Sequence, residues 1–177
     1  FDLYKLTGER LDTLGIFPIL KDSPDIKPDN AYLQSEISVS PDSEHLVVAC
    51  HGFEVIDVYD SEMSLSVRIT GPNDFPQEVV LRNYDGGYSY IPSVRTKIYG
   101  NLITNNDGLW VGYIGILFKT QEYNREAQTI LTFDWEGSPQ KAYQLDTPFV
   151  SFDVDWDSNV LYCITAEDEP RILKYQL

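Results

Sequence analysis

The sequence predicts an all-β chain of repeated four-stranded antiparallel units, and three observations predict it. First, a polar turn followed by a β-rich run occurs three times, in "SPDSEHLVVA" around Asp42, "NNDGLWVGYI" around Asp107 and "DWDSNVLYCI" around Asp157. A tight polar turn between β-rich runs marks a hairpin. Second, another element recurs beside these: "FDLYKLTGE", "IDVYDSEM", "ILTFDWEG" and "ILKYQL" place Tyr4, Tyr59, Phe133 and Tyr175 at one equivalent position. Third, no segment competes with a sustained helical period, and an aromatic content of 13% with twelve tyrosines favours strands.

With the first hairpin named strands A and B and the second C and D, the chain reads C-D, A-B-C-D, A-B-C-D, A-B-C. Residues 1–20 hold the opening C-D pair, 35–71 a complete unit, 88–146 a second, and 149–177 the three strands of the last. "SLSVRI" and "QKAYQL" are the D strands of the complete units. The turn aspartates at 42, 107 and 157 space the units by 65 and then 50 residues. Four-strand units of roughly this length are the blades of a β-propeller. The chain is thus read as one domain, about half of a six-bladed ring. It opens with Phe1 rather than Met and stops after a C strand. The other half of the ring is expected upstream, with a dimer of two half-rings as the alternative. Residues 21–34 and 71–90 are read as long D–A connections. Residues 119–128 are read as a long B–C loop or a helical turn.

Asp153, Asp155 and Asp157 have the alternate spacing of a calcium loop, but the Gly and Glu that such a loop needs further on are missing. Asp155 and Asp157 instead occupy the A–B turn, as Ser40-Pro41-Asp42-Ser43 and Asn106-Asp107-Gly108 do in the other units. Asp and Ser favour such turns because their side chains bond nearby backbone amides. No metal and no cofactor is expected.

The bulk numbers exclude several partner classes. A net charge of −15 opposes nucleic acid and anionic membrane surfaces. The longest apolar run, 109–118, contains Gly112 and Gly115 and falls well short of the ~20 residues a membrane span needs. Cys50 and Cys163 make no disulfide framework and read as buried free thiols in apolar strands.

"ILTFDWEGSPQKAYQLD" followed by "FDVDWDSNVLYCITAEDEPRILKYQL" resembles the TolB-like six-bladed β-propeller proteins of Bacteroides-type bacteria. The matching features are the Trp135-Glu136-Gly137 turn after a C strand, the acidic turn Glu167-Asp168-Glu169-Pro170, and the closing strand at 172–177. "SEISVSPDSEHLVVACHGFEVIDVYD" also looks like one of that family's blades. The resemblance implies a propeller fold and export to the periplasm or cell surface, many relatives being lipoproteins anchored through an N-terminus. It implies no catalytic residues.

No strong catalytic motif is present. HExxH, the P-loop, Gly-x-Ser-x-Gly and Cys-x-x-Cys are all missing from the sequence. Cys50-His51 is an adjacent nucleophile and base, but neighbours on a strand point to opposite faces. His45 reads as an exposed strand residue after a turn. Candidate ligand-binding residues come from the loops and strands around a propeller's channel. Tyr84, Tyr88 and Tyr90, with Phe75 and Arg82, lie in "GPNDFPQEVVLRNYDGGYSY". Tyrosines there can stack on a sugar or peptide and still hydrogen-bond, though packing the loop onto its blade is the plainer role. Arg95, early in an A strand, could grip a carboxylate. Glu36 and Asp153 are the acids closest to an axial position.

These readings add up to a non-enzymatic binding or scaffold module with an unknown protein or carbohydrate ligand. The runner-up is a metal-dependent enzyme of the lactonase or lyase type, with Glu36 and Asp153 among the ligands on the axis. A purely structural protein–protein platform is the third possibility.

Overall fold

The computed structural model describes residues 2–4, 10–13, 35–52, 54–71, 79–84, 87–92, 95–118 and 127–177, with side chains described for 35–52, 54–71, 97–115 and 127–177. The first strands, β1 (Asp2–Tyr4) and β2 (Arg10–Thr13), pair antiparallel with Asp2 opposite Thr13. β3 (Ser35–Val39), β4 (His45–Cys50), β5 (Val55–Asp60) and β6 (Leu65–Thr70) follow as a four-stranded antiparallel sheet in chain order. β7 (Val79–Tyr84) and β8 (Gly87–Pro92) form a separate hairpin. β9 (Arg95–Thr104), β10 (Gly108–Phe118), β11 (Ala127–Asp134), β12 (Pro139–Asp155), β13 (Val160–Thr165) and β14 (Ile172–Gln176) make a six-stranded antiparallel sheet, again in chain order. The fold is all-β, with no helix among the described residues.

Two features differ from the sequence reading. The D strand of the second unit and the A strand of the last are not separate: both lie in the 17-residue β12. Residues 139–144 of β12 face β11, Phe149 faces both Ala127 of β11 and Thr165 of β13, and residues 151–155 face β13. The pair Thr147-Pro148 suggests a break, because proline cannot donate to a ladder. Here it falls at the changeover between partners, and the Pro148 carbonyl accepts from the Ala166 amide at 3.1 Å. The segment 71–90, read as a loop, contains the β7–β8 hairpin, and the first strand of the next unit begins only at Arg95. Phe75, the connection 21–34 and residues 119–126 lie outside the described residues.

Alternating apolar residues let the sheets pack face to face. Val47, Ala49, Ile56, Val58 and Ile69 of the four-stranded sheet bury themselves against Ile98, Leu102, Leu109 and Val111 of β9 and β10. The other face of β10 and β11, with Trp110 and Ile130, packs on Phe152, Val154, Leu161 and Cys163. The reverse face of the four-stranded sheet is also buried at Val48 and Tyr59.

Side chains that replace backbone partners build the turns. Asp60 Oδ1 accepts from the Glu62 and Ser64 amides, and Asp134 Oδ1 accepts from the Ser138 amide. Both turns close with a left-handed residue in third position, Met63 (φ 63°) and Gly137 (φ 81°). The β3–β4 turn is held by the Ser40 hydroxyl donating to Asp42, whose Oδ1 also accepts from the Glu44 amide. Asn105 Oδ1 accepts from Asp107 and Gly108, and Asp155 Oδ1 from Asp157 and Ser158. Asp155, the middle acid of the Asp153–Asp157 series, is thus a turn cap, as side-chain mimicry of a turn requires.

Candidate functional site

A group of polar and ionisable side chains lies where the β4–β5 connection meets β9 and β10. Glu54 is the key to it. Its position directly before β5 sets it inward, and it is buried. It folds over Gly71, where any Cβ would come 2.4 Å from its Cδ. The Gly71 amide in turn donates to the Glu54 carbonyl at 2.9 Å. A buried carboxylate needs donors, and the Tyr113 hydroxyl supplies one at 2.7 Å to Oε1. The Tyr113 ring lies 5.8 Å from that of Tyr99, which is buried. Burial first, and then the nearby Glu54 charge, hold the Tyr99 hydroxyl far above the ordinary phenol value. Cys50 is buried beside them.

A second acid borders this group. Glu36 Oε1 lies 3.0 Å from His51 Nε2, and both side chains are partly exposed. The His51 carbonyl accepts from the Ile98 amide of β9 at 2.7 Å, so this pair is tied to the junction between the two sheets. The arrangement presents acceptors and an imidazole at a sheet junction, with phenols behind them. It is suited to receiving hydrogen-bond donors. The His51 imidazole meets Glu36 through Nε2, and Cys50 beside it is buried. Outside this group, in the core around Phe152 and Leu161, burial pushes the Cys163 thiol up to about 11.

Glu36, chosen from the sequence, is therefore in this group, on β3. Arg95 opens β9, opposite Phe118 in the register. Tyr84 is opposite Gly87, Tyr88 opposite Asn83 and Tyr90 opposite Leu81, all on the β7–β8 hairpin, which shares no strand with the sheet carrying Glu36. Asp153 accepts from the following Val154 amide at 2.8 Å. In the acidic β13–β14 turn, Glu167 is held by Arg171 at 2.6 Å. Among the described residues no three His, Cys, Asp or Glu side chains converge as a metal-ligand set. Sequence reasoning missed Glu54, Tyr99 and Tyr113. The signal for Glu54 is an acid between Phe53 and Val55 in an otherwise apolar run. Sequence reasoning also missed the Asp57–Arg68 pair across β5 and β6, a bidentate contact of 2.7 Å with Asp57 buried.

The class these features define is an all-β protein of stacked antiparallel sheets. No family model matches the chain, and no curated protein does. Among solved structures it is similar to hydrazine synthase of Kuenenia stuttgartiensis, at 10% identity and TM-score 0.46, over 73% of this chain and 28% of that one. It is similar to a luciferin-regenerating enzyme at 15% identity and TM-score 0.41, over 79% and 44% of the two chains. It is similar to BamB of Moraxella catarrhalis at 12% identity and TM-score 0.32, over 76% and 40%. The chain spans less than half the length of each of these three proteins. No helix among the described residues is long and apolar enough to cross a membrane.

Proposed function

We propose that this chain is part of a TolB-like β-propeller and works outside the cytoplasm as a non-enzymatic binding module. Face-to-face stacking of antiparallel sheets in strict chain order supports the propeller reading. The resemblance of the Trp135-Glu136-Gly137 turn and the closing blade supports the family and its export. The ligand face is the side of the sheets where the β4–β5 connection meets β9. The observation that carries this is the Glu36–His51 pair with Glu54 and Tyr113 behind it, at 3.0 Å and 2.7 Å. These groups can hydrogen-bond a protein or carbohydrate ligand rich in donors. Arg95 and the tyrosines Tyr84, Tyr88 and Tyr90 belong to the same proposal as flanking contacts.

The test is a titration of the purified chain against oligosaccharide and basic-peptide panels, followed by calorimetry, beside a turnover screen with ester, lactone and uronate substrates. Saturable binding that Glu36→Gln and His51→Gln weaken, without turnover, is the expected result. Turnover that the same substitutions abolish would overturn the non-enzymatic reading.

A further inference from the structure

Three aromatic rings meet at the rim of the junction between β10–β12 and the last strands. Trp110 of β10 is stacked on Tyr143 of β12, with centroids 5.0 Å apart and 17° between the planes. Trp156 meets Trp110 edge to face at 5.3 Å and 74°. Trp156 directly follows β12 and continues the alternation of Phe152 and Val154, so it turns toward the strands that precede it. Phe152 and Val154 are buried in the same cluster that Trp110 and Tyr143 border, whereas Trp156 keeps 40% of its surface exposed.

Two observations set this group apart from ordinary core. The first concerns the indole N–H groups. Trp135 donates its own to the Asn106 carbonyl at 3.0 Å. Those of Trp110 and Trp156 have no acceptor among the described residues, and the Trp110 nitrogen is not sealed from solvent. An indole N–H at a packed surface usually finds a partner. The second concerns the polar groups around the rings. The Lys141 ammonium caps the stack, 5.8 Å from the Tyr143 centroid. The Asp155 carboxylate is used up by its own turn, while Asp157, on the other side of Trp156, is exposed. An open aromatic face, free N–H donors and a free carboxylate acceptor complement a sugar ring, which is apolar across its C–H face and both donates and accepts around its edge. A net charge of −15 and the acids beside Trp156 select against an acidic sugar.

We propose that Trp156 and Trp110 form a subsite for a neutral pyranose. The sugar ring lies on the Trp156 indole, the two indole N–H groups donate to its oxygens, and Asp157 accepts from a hydroxyl. This subsite is separate from the ligand face proposed above. Thr104 Oγ1 donates to the Val39 carbonyl at 2.8 Å, and the Ile98 amide donates to the His51 carbonyl at 2.7 Å. The β3–β4 and β9–β10 turns therefore share one edge of the sheets, with Trp110 just inside it, and the Glu36–His51 pair occupies the opposite edge.

Titration of the purified chain with maltohexaose, cellohexaose and chitohexaose tests this, read by tryptophan fluorescence and calorimetry, with hexagalacturonate as the anionic counterpart. Saturable binding of at least one neutral sugar with a change in tryptophan emission is expected, and none of hexagalacturonate. Trp156→Ala should raise the dissociation constant about tenfold or more. Trp156→Phe keeps a ring against Trp110 and guards against loss of fold, yet lacks the N–H, so a smaller rise is expected. Glu36→Gln should leave the constant unchanged. Failure of all three neutral sugars to bind overturns the proposal. Binding that Trp156→Ala leaves intact, or that hexagalacturonate shares, overturns it as well. Sugar binding weakened by Glu36→Gln and not by Trp156→Ala also overturns it and assigns the sugar to the other face, with the binding reading untouched.

Discussion

Replacing Asn101 should show how much of the contact between β9 and β12 depends on one side-chain amide. These strands are not sheet neighbours. Asn101 Nδ2 donates to the Phe152 carbonyl at 3.0 Å, and its Oδ1 accepts from the Phe152 amide at 3.2 Å and from the Ser151 hydroxyl. The side chain so imitates a strand partner for one residue. Its backbone has φ 34°, which L residues adopt at a cost. Asn101→Gly keeps that conformation accessible and removes only the amide. Each of the three lost hydrogen bonds is worth about 1 kcal/mol net, so a loss near 3 kcal/mol is expected, and more where the Phe152 amide or carbonyl is left stranded. Asn101→Ala removes the same bonds and adds about 1 kcal/mol of backbone cost. Urea unfolding followed by tryptophan fluorescence reads both. A loss under about 1 kcal/mol for the glycine variant would refute the reasoning, since the bonds would then be replaceable by solvent. Equal losses for glycine and alanine would remove the backbone part alone.

Other consequences follow from the same inspection. Met63→Gly should stabilise by about 0.5–1 kcal/mol by relieving its left-handed backbone. Gly137→Ala should destabilise by about 2 kcal/mol or more, because a Cβ there would come 2.6 Å from Val67 Cγ1 as well as requiring φ 81°; thermal melts check both. Arg68→Met should cost about 3–5 kcal/mol by leaving the buried Asp57 carboxylate unpaired, while the double change with Asp57→Leu recovers most of it; a chemical denaturation cycle measures this. Acid should weaken the fold through its turns. The Ser40 hydroxyl beside Asp42, the Ser158 hydroxyl beside Asp155 and the Tyr175 hydroxyl beside Asp146 each hold a carboxyl below its ordinary 3.8. Because the folded values are lowered, their contribution is complete above that value and vanishes as pH falls through the folded ones. A melting series down the acid range should decline less steeply in Asp155→Asn. Base acts in the opposite sense on Cys163, whose thiol is raised from 9.0 to about 11: stability falls as pH climbs through that interval. Its modification by a disulfide reagent at neutral pH should proceed only at the rate of unfolding.

The strands were legible in the sequence wherever a polar turn separated two alternating runs, as at Ser40–Glu44 and Asp60–Ser64. The chemistry of those turns was legible only in kind. Asp107 and Asp157 mark the second and third turns, yet Asn105 and Asp155 hold them, because an Asx cap acts from the head of a turn onto amides two or three residues later. The β7–β8 hairpin was hidden by the prolines and glycines around it, which score as loop. Glu54 was legible only as an acid in an apolar run, and Asn101 not at all. Their partners, Tyr113 and Phe152, lie 59 and 51 residues away, and no local pattern announces a buried polar contact of that span. Glu36 stands out by its strand, whereas the sequence offers His51 only as the neighbour of Cys50.

The 17 residues of β12 serve two neighbours in succession. A rod held along both halves cannot release one set of partners while keeping the other in register. Melting of β13 and β14 should therefore be transmitted to β11 and β10, and amide exchange along β12 should follow a single opening event instead of two. The segment between β6 and β9 has no such continuity, since it leaves one sheet and enters another by way of a separate hairpin. Insertions and protease nicks are then best tolerated between β6 and β9 and worst at Thr147. Cut there, the chain would lose its last strands as a group.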